Sequence, residues 1–325
     1  MEANYEIRPL SIRRDHEGLC DVIELSFKED LEEIGMDFRE ELGSLKKIEP
    51  LLRFLGLFSK SMRHIIGGFV YEDQGQIIST VFVNKRGMDA SQWIIRNLAT
   101  HPDYRRQGLA RELIKTAVEH AASHGAEVCT LEVRSDNTSA YDLYRNQGFT
   151  HFDSLITLKL EKFPEVEVVA TEEYMIHEKK KIKQADAYDL AVRATPAEVA
   201  EFLPVNKKQF SEPRFLGWIE PIFMKFLRFV EHNFVAELDG KIVGAVRFNG
   251  RRTKKGVYGM NILIDPAHRE KVTEPLLKLA LSTIKKYPER NTIVTVRTSN
   301  NELLALLRRY DFEKIEENHR LGLKL

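Results

Sequence analysis

Two eighteen-residue stretches of this chain, 132–149 and 295–312, align with each other without a gap. Six aligned positions are identical, pairing Val133, Arg134, Asn137, Leu143, Arg145 and Phe149 with Val296, Arg297, Asn300, Leu306, Arg308 and Phe312. The two stretches fall at the same place in two matching orders of predicted elements, which indicates an internal duplication. With 325 residues, the chain has room for two domains of ordinary size. We predict a first domain over 1–182 and a second over 183–325, separated in a charged segment around 179–181.

Apolar periodicity predicts a mixed α/β domain in the first copy. One helix is expected through 19–27, one from Leu109 to a glycine cap at Gly125, and a shorter one at 140–146. The predicted strands lie at 5–8, 68–71, 77–84, 93–100, 128–133, 155–160 and 174–177.

The second copy repeats this order. Residues 188–193 are predicted as a strand and 196–202 as the start of a helix, followed by a hairpin over 234–248 and a strand at 257–264. We therefore expect two α/β domains with mixed sheets, one after the other.

The most informative loop of the first copy joins the strand at 93–100 to the helix that begins at Leu109. Amide groups at a helix N-terminus, together with the positive end of the helix dipole, form an anion site. Gly108 lets the backbone approach a phosphate closely, and Arg105 and Arg106 add positive charge. The alternative is an ordinary strand-to-helix turn that carries a solvated basic pair.

Arg105-Arg106-Gln107-Gly108-Leu109-Ala110 resembles the (Gln/Arg)-x-x-Gly-x-(Gly/Ala) loop of the GCN5-related N-acetyltransferase (GNAT) superfamily. The second half of that signature is similar to Leu131-Glu132-Val133-Arg134, Asn137, Ala140, Leu143-Tyr144 and Gly148-Phe149. Within the superfamily, these motifs most resemble bacterial enzymes that acetylate the N-terminal alanine of a ribosomal protein. The resemblance covers 67–150 well and 1–66 only in the order of elements. The Arg-x-Asn-Tyr-Tyr tail of those enzymes is absent from 150–160.

The resemblance implies two tandem acyl-CoA N-acyltransferase (GNAT) folds and acetyl-CoA as the co-substrate, with no metal. The backbone of Leu98, Ala99 and Thr100 would pair with the pantetheine arm, and Asn137 would contact the cofactor near its thioester. For Asn137 the alternative is a helix N-cap, and both roles are compatible. The loop residues that would hold the pyrophosphate are Arg105, Arg106, Gln107, Gly108, Leu109 and Ala110.

The resemblance also assigns two catalytic residues. Tyr144 would protonate the departing CoA sulfur, which is chemically reasonable for a positioned phenol. Glu132 would take the proton of the attacking amine, and a water chain is the alternative base. The structural alternatives are a core aromatic for Tyr144 and a surface carboxylate, paired with Arg134 or a lysine, for Glu132.

The second copy lacks these residues. In its matching loop Val272 stands where the first copy has Gly108, with Glu270 and Glu274 nearby where a diphosphate would lie. Leu307 replaces Tyr144, and Thr295 replaces Glu132. We expect a degenerate, non-catalytic GNAT-like domain.

The charge balance disfavours nucleic acid and anionic membranes as partners. Lys and Arg together number 49, as do Asp and Glu, so no overall field favours nucleic acid or an anionic membrane. Neither an N-terminal signal nor a run of about 20 apolar residues is evident, and we expect a cytoplasmic protein. The two cysteines, Cys20 and Cys129, have no metal-ligand spacing.

The expected function is acetyl transfer from acetyl-CoA to a primary amine on a small molecule, a peptide or a protein N-terminus. A CoA-binding sensor or regulatory module without turnover is the alternative. The sequence leaves the acceptor and the oligomeric state open.

Overall fold

A computed structural model describes residues 5–34, 37–47, 67–86, 91–168, 173–210, 229–251 and 256–325. The chain divides into two compact units, and the division does not follow the order of the sequence. Unit 1 consists of Met1–Phe152 together with His319–Leu325, and unit 2 consists of Asp153–Asn318. The last seven residues of the chain therefore belong to the first unit.

Unit 1 is built on strands β1 (Glu6–Pro9), β2 (Gly68–Asp73), β3 (Gln76–Lys85), β4 (Gln92–Thr100) and β5 (Val128–Arg134) in that spatial order. The end of strand β12 (Glu313–Lys324) lies beyond β5. Neighbouring strands from β1 to β4 are antiparallel, whereas β4 and β5 are parallel. Its helices are α1 (Ile12–Ile34), α2 (38–47), α3 (Leu109–Ser123) and α4 (Thr138–Asn146).

Two apolar clusters cover the two faces of this sheet. On one face, α3 packs on Trp93 of β4 and Leu131 of β5, and the returning β12 adds Leu321. On the other face, α1 packs on Phe82 of β3 and Ala99 of β4. This separation follows from the period of two in a strand, which sends successive side chains to opposite faces.

Unit 2 repeats the arrangement with β6 (Thr150–Leu160), β11 (Thr292–Arg297), β10 (Tyr258–Ile264), β9 (Lys241–Arg251), β8 (Phe229–Leu238) and β7 (Met175–Glu178) in spatial order. Its helices are α5 (Gln184–Ala194), α6 (Ala197–Ala200), α7 (Arg269–Ile284) and α8 (Asn301–Arg309). Among the described residues no helix is long and apolar enough to cross a membrane.

The two copies of the repeat adopt the same local geometry. Asn137 and Asn300 each cap a helix by accepting a hydrogen bond from the amide three residues on, with φ of −86° and −92° respectively. Both helices end alike, with Phe149 N–H donating to Tyr144 O and Phe312 N–H donating to Leu307 O. This agreement, position by position, supports the duplication inferred from the alignment.

The strand predicted at 188–193 is wrong, because these residues lie in the helix α5. Tyr188, Leu190 and Val192 alternate along the sequence as one face of a strand would, but Val192 is 46% exposed. The buried residues are Leu190, Ala191 and Ala194, which share one face of a helix.

The first strand of the second copy is instead β7, which pairs antiparallel with β8 as β1 pairs with β2. The sequence boundary proposed near residue 183 stays a prediction. In the structure, the chain passes from unit 1 to unit 2 between residues 152 and 153 and returns to unit 1 between residues 318 and 319.

The returning tail gives a direct test of the fold. Leu321 is fully buried in unit 1, while Leu325 is 45% exposed. We expect Leu321→Ala to lower the free energy of unfolding by about 2–5 kcal/mol, because it opens a cavity in a packed core. Urea unfolding followed by circular dichroism measures this change. Leu325→Ala is the control and should leave the midpoint unchanged; equal effects of the two substitutions would contradict the assignment of the tail to unit 1.

Candidate functional site

Strands β4 and β5 begin side by side and then separate. Their parallel pairing joins Gln92–Ile94 to Val128–Thr130, and within the described chain no pairing between them follows. Before its end β4 also carries a bulge, where its register with β3 shifts and Asn97 adopts a φ of 50°. The result is a gap in the sheet, bordered on one side by the predicted residues Leu98, Ala99 and Thr100.

The gap leads to a loop whose amides lack protein partners. A short turn, Pro102–Tyr104, is followed by Arg106 at φ 62° and Gly108 at φ 87°, and α3 starts at Leu109. Across the part of the chain that the structure describes, no hydrogen bond is donated by the backbone N–H groups of 106–110. Such a row of free amides at a helix N-terminus is suited to an anion.

Side chains from elsewhere in unit 1 hold this loop in place. The Tyr104 hydroxyl donates to Asp73 Oδ2 at 3.0 Å, and the Tyr5 hydroxyl donates to Gln107 Oε1 at 3.1 Å. Arg105 Nε donates to Thr100 O at 3.2 Å, so this predicted phosphate ligand is engaged with the backbone of β4. The loop is therefore shaped before any ligand arrives.

Tyr144 lies on α4 and is 6% exposed. Its ring packs edge-on against Phe149 at 6.0 Å between centroids and belongs to the same apolar cluster as Leu131 and Val133. Burial raises the pKa of the Tyr144 phenol above its usual range. The phenol therefore stays protonated, and among the described residues no protein group accepts a hydrogen bond from its hydroxyl.

Glu132 points away from Tyr144. Its neighbours Leu131 and Val133 face the α3 cluster, so Glu132 lies on the opposite face of β5, where its side chain is 44% exposed. The carboxylate pairs with Arg320 Nε at 3.6 Å. Arg134, the partner considered from the sequence, instead pairs with Asp136 at 2.7 Å.

Two further arginines lie on the Glu132 face. Arg96 follows Ile94 by two residues and shares its face of β4, and Arg86 follows the end of β3, where its N–H donates to Gln92 O at 2.7 Å. Burial, together with the charges of Arg320 and Arg96, lowers the pKa of Arg86 to about 10, and Glu132 opposes this shift. Sequence reasoning missed all three, since no motif marks them and Arg320 reaches the site through the returning tail.

Asn137 performs the structural role considered for it. Its Oδ1 accepts a hydrogen bond from Ala140 N at 3.0 Å, which caps α4. The contact with the cofactor stays a prediction.

A separate cavity of about 930 Å³ lies along α1 in unit 1 and reaches His101, just before the loop. Gly18, Asp21, Glu24, Arg39 and Ile77 are among its lining residues. Neither Glu132 nor its arginine neighbours line it. The cavity and the Glu132 face are therefore two distinct spaces of the same unit.

The corresponding site of unit 2 differs in the loop. After the turn Pro266–His268, helix α7 begins at once with Arg269, and Val272 is fully buried inside that helix. Leu307, at the position of Tyr144, is also fully buried. Thr295, at the position of Glu132, lies 3.4 Å from Thr157 between hydroxyl oxygens. A helical turn and apolar packing thus occupy the positions that form the loop and the phenol in unit 1.

Comparison with known proteins finds similarity to one family within the first part of the chain. Residues 31–149, a little over a third of the chain, match the model of the Acetyltransferase (GNAT) family. The [Ribosomal protein bS18]-alanine N-acetyltransferase of Escherichia coli (strain K12) is 42% identical over 53 residues, which are 16% of this chain and 36% of that protein. The chloroplastic GCN5-related N-acetyltransferase 6 of Arabidopsis thaliana is 30% identical over 97 residues, which are 29% and 33% of the two chains. The chain thus spans about a third of the length of these relatives.

Two solved structures resemble the whole chain. A GCN5-related N-acetyltransferase from Sphaerobacter thermophilus has a TM-score of 0.68 at 15% identity, covering 98% of this chain and 95% of that one. A tandem GNAT protein from the clavulanic acid biosynthesis pathway has a TM-score of 0.62 at 14% identity, covering 99% and 98%. At this identity the likeness concerns the fold alone. The predicted fold of two tandem GNAT domains is confirmed.

The free loop amides predict the effect of one substitution. Gly108 has a φ of 87° and nothing within 4 Å of an added Cβ, so Gly108→Ala strains the backbone without a clash. If this loop is the predicted CoA site, the substitution should displace the amides and weaken CoA binding about tenfold or more in calorimetry. Gly125, with φ 82° and equally open space after the end of α3, is the matched control. Each substitution should cost about 1 kcal/mol of stability, but Gly125→Ala should keep its affinity for CoA. Equal affinities would rule out the loop as the binding site.

Proposed function

We propose that unit 1 is an acetyl-CoA-dependent N-acetyltransferase that acts on a primary amine. The observation that carries the proposal is the gap between β4 and β5, which leads into the loop of free amides. Tyr144 and Glu132 lie on opposite faces of the strand that borders this gap. An acyl group held there has a proton donor on one side and a carboxylate on the other.

The residues present fit acetyl-CoA. A diphosphate matches the unpartnered amides of 106–110 and the positive end of α3. A pantetheine arm, which carries amide groups, matches the edge of β4 at Leu98, Ala99 and Thr100. Asn137, at the start of α4, is proposed to contact the cofactor near its thioester. When bound, acetyl-CoA supplies an activated acyl group.

Glu132 is assigned the role of base. An amine must lose a proton as it attacks, and a carboxylate within reach, directly or through one water, accepts it. Its 44% exposure leaves the oxygen atoms accessible from the face that α1 packs on. The ion pair with Arg320 fixes the direction of the side chain. A chain of waters that ends at this carboxylate is compatible with the same arrangement.

Tyr144 is assigned the role of acid. Burial raises its pKa, which keeps the phenol protonated across the physiological range. The same desolvation also raises the pKa of a thiol that leaves into this site, since it disfavours every anion there. Tyr144 therefore donates a hydrogen bond to the departing sulfur and passes its proton as negative charge develops.

The acceptor is proposed to be a primary amine on a small molecule, a peptide or a protein N-terminus. The bacterial relatives are named for acetylation of an alanine of ribosomal protein bS18. That match covers 36% of the relative, so the acceptor of the relative is not assigned to this chain. A cytoplasmic location and independence from a metal belong to the same proposal.

Unit 2 is proposed to be non-catalytic. The loop, the phenol and the carboxylate of unit 1 are all replaced at the matching positions. Val272 lies in a helix, Leu307 is buried in the core, and Thr295 lies beside Thr157. We expect calorimetry of the full chain with CoA to give a stoichiometry of one. Two sites of equal affinity would show that unit 2 has kept the cofactor site.

Tyr144→Phe separates the enzyme from a CoA-binding sensor. Loss of the hydroxyl should lower kcat about 10²–10⁴-fold while the dissociation constant for CoA stays the same. Release of free thiol from acetyl-CoA measures turnover, and calorimetry measures binding. Tyr141→Phe on the same helix is the control and should retain full kcat. If Tyr144→Phe turns over as fast as the parent, the acid lies elsewhere; binding without any turnover in the parent would favour the sensor.

A further inference from the structure

The Glu132 face gathers three guanidinium groups around one carboxylate. Ile94 of β4 pairs with Thr130 of β5. Arg96 and Glu132 each follow one of these residues by two positions, so both side chains lie on the same face of the sheet. Arg320 joins them from β12, since its neighbour Leu321 faces the opposite, α3 side. Arg86 lies on this face as well, because Lys85 before it pairs with Trp93 of the α3 cluster.

Among the described residues, this cluster combines the three arginines with Glu132. Arg320 is 7% exposed, lies over the ring of Phe152 at 5.4 Å, and pairs with Glu132. Arg86 is partly buried, and Glu132 is the one carboxylate that acts on it among the described residues. Within that same part of the chain, neither Arg86 nor Arg96 has a recorded side-chain hydrogen bond or ion pair. Glu132 is thus the carboxylate that pairs with Arg320 and acts on Arg86.

Two other arginines of unit 1, Arg8 and Arg39, are balanced by acids. Arg8 bonds to both Asp15 and Glu72, at distances of 2.8 and 2.6 Å. Arg39 likewise has carboxylate partners in α1, at Asp21 and Glu24. Partly buried charges are usually paired in this way, because desolvation penalises an unpaired ion. Arg86 is partly buried without such a partner, and the exposed Arg96 lies on the same face, so together they can bind an anion.

We propose that Arg86 and Arg96 bind a carboxylate of the acceptor, so that the acceptor is an amine that carries a carboxylate near its amino group. The inference rests on the proposed function in one respect, namely that Glu132 receives the amine. Guanidinium groups bind carboxylates through paired, charge-assisted hydrogen bonds. With the carboxylate on the arginines, the amino group is directed to Glu132.

The same cations assist the chemistry. Positive charge next to an amine favours its neutral form, which is the nucleophile. The cluster therefore selects the acceptor and helps to prepare it for attack. Glu132, already oriented by Arg320, accepts the proton that is released.

The test compares acceptors that differ only in a carboxylate or a carboxamide. Alanine is compared with alaninamide, and a peptide with Asp as its second residue with one that has Asn. Thiol release should give a kcat/KM at least tenfold higher for the acid in one pair or both. Arg86→Gln and Arg96→Gln should abolish that preference by raising KM for the acid. Lys115→Gln, which removes a charge from the exposed side of α3, is the control and should retain it.

A binding measurement makes the result independent of turnover. N-acetylalanine and N-acetylalaninamide are titrated into the full chain with CoA present, and the acid should bind at least tenfold more tightly. Arg96 is exposed, so Arg96→Gln should keep the melting temperature of the parent while losing this difference. If the acid binds more tightly than the amide but no acetyl group is transferred, the proposed function is overturned while the anion site stands.

Equal binding and equal kcat/KM of acid and amide in the parent would overturn the carboxylate site while the acetyltransferase stands. Retention of the preference by both arginine variants would overturn it as well. A preference for a phosphorylated amine over both members of a pair would show an anion site of another specificity and would also overturn the carboxylate proposal.

Discussion

The site of unit 1 depends on the separation of two parallel strands. A sheet satisfies its backbone groups by pairing neighbours, and β4 and β5 stop doing so after Ile94 and Thr130. The bulge near Asn97 then redirects the end of β4 toward the loop before α3. A single path therefore runs along the unpaired edge of β4, past the free amides of the loop, to the positive end of the α3 dipole. A ligand with amide groups at one end and a diphosphate at the other is complementary to that path.

The strand separation is a property of the fold, and the chemistry is a property of a few residues on it. In unit 2 the parallel strands β10 and β11 also pair over three residues, Tyr258–Met260 with Thr292–Val294. There the helix begins immediately after the turn, and Val272 fills the core where unit 1 has Gly108 at positive φ. The caps Asn137 and Asn300 remain the same in both copies, because they stabilise helices whether or not a ligand binds. The positions that are identical in the two copies thus stabilise the shared fold. The positions that differ decide whether the loop with free amides or a packed core forms there.

Local features of this fold could be predicted from the sequence, whereas features set by distant strands could not. The loop, its glycine and the helix from Leu109 follow from backbone rules that act over a few residues. The prediction of a strand at 188–193 fails because a short apolar pattern fits both the period of two of a strand and the period of 3.6 of a helix. The burial of Ala191 and Ala194 follows the helical period. The return of 319–325 to unit 1 depends on contacts with residues nearly two hundred positions earlier. For that reason Arg320 beside Glu132, and with it the arginine cluster, had no local signal.

On the proposed mechanism, the two faces of β5 explain how one strand serves two opposite demands. A leaving thiolate is best met by a donor that remains protonated, and the apolar cluster around Tyr144 ensures this through desolvation. An incoming amine is best met by an accessible acceptor in a positive field, and the other face supplies Glu132 with its arginines. The period of two in a strand keeps the environments apart although Leu131, Glu132 and Val133 are consecutive. On that mechanism, exchange of the two environments would place the carboxylate in the apolar cluster, where desolvation disfavours its charged form and so removes the base.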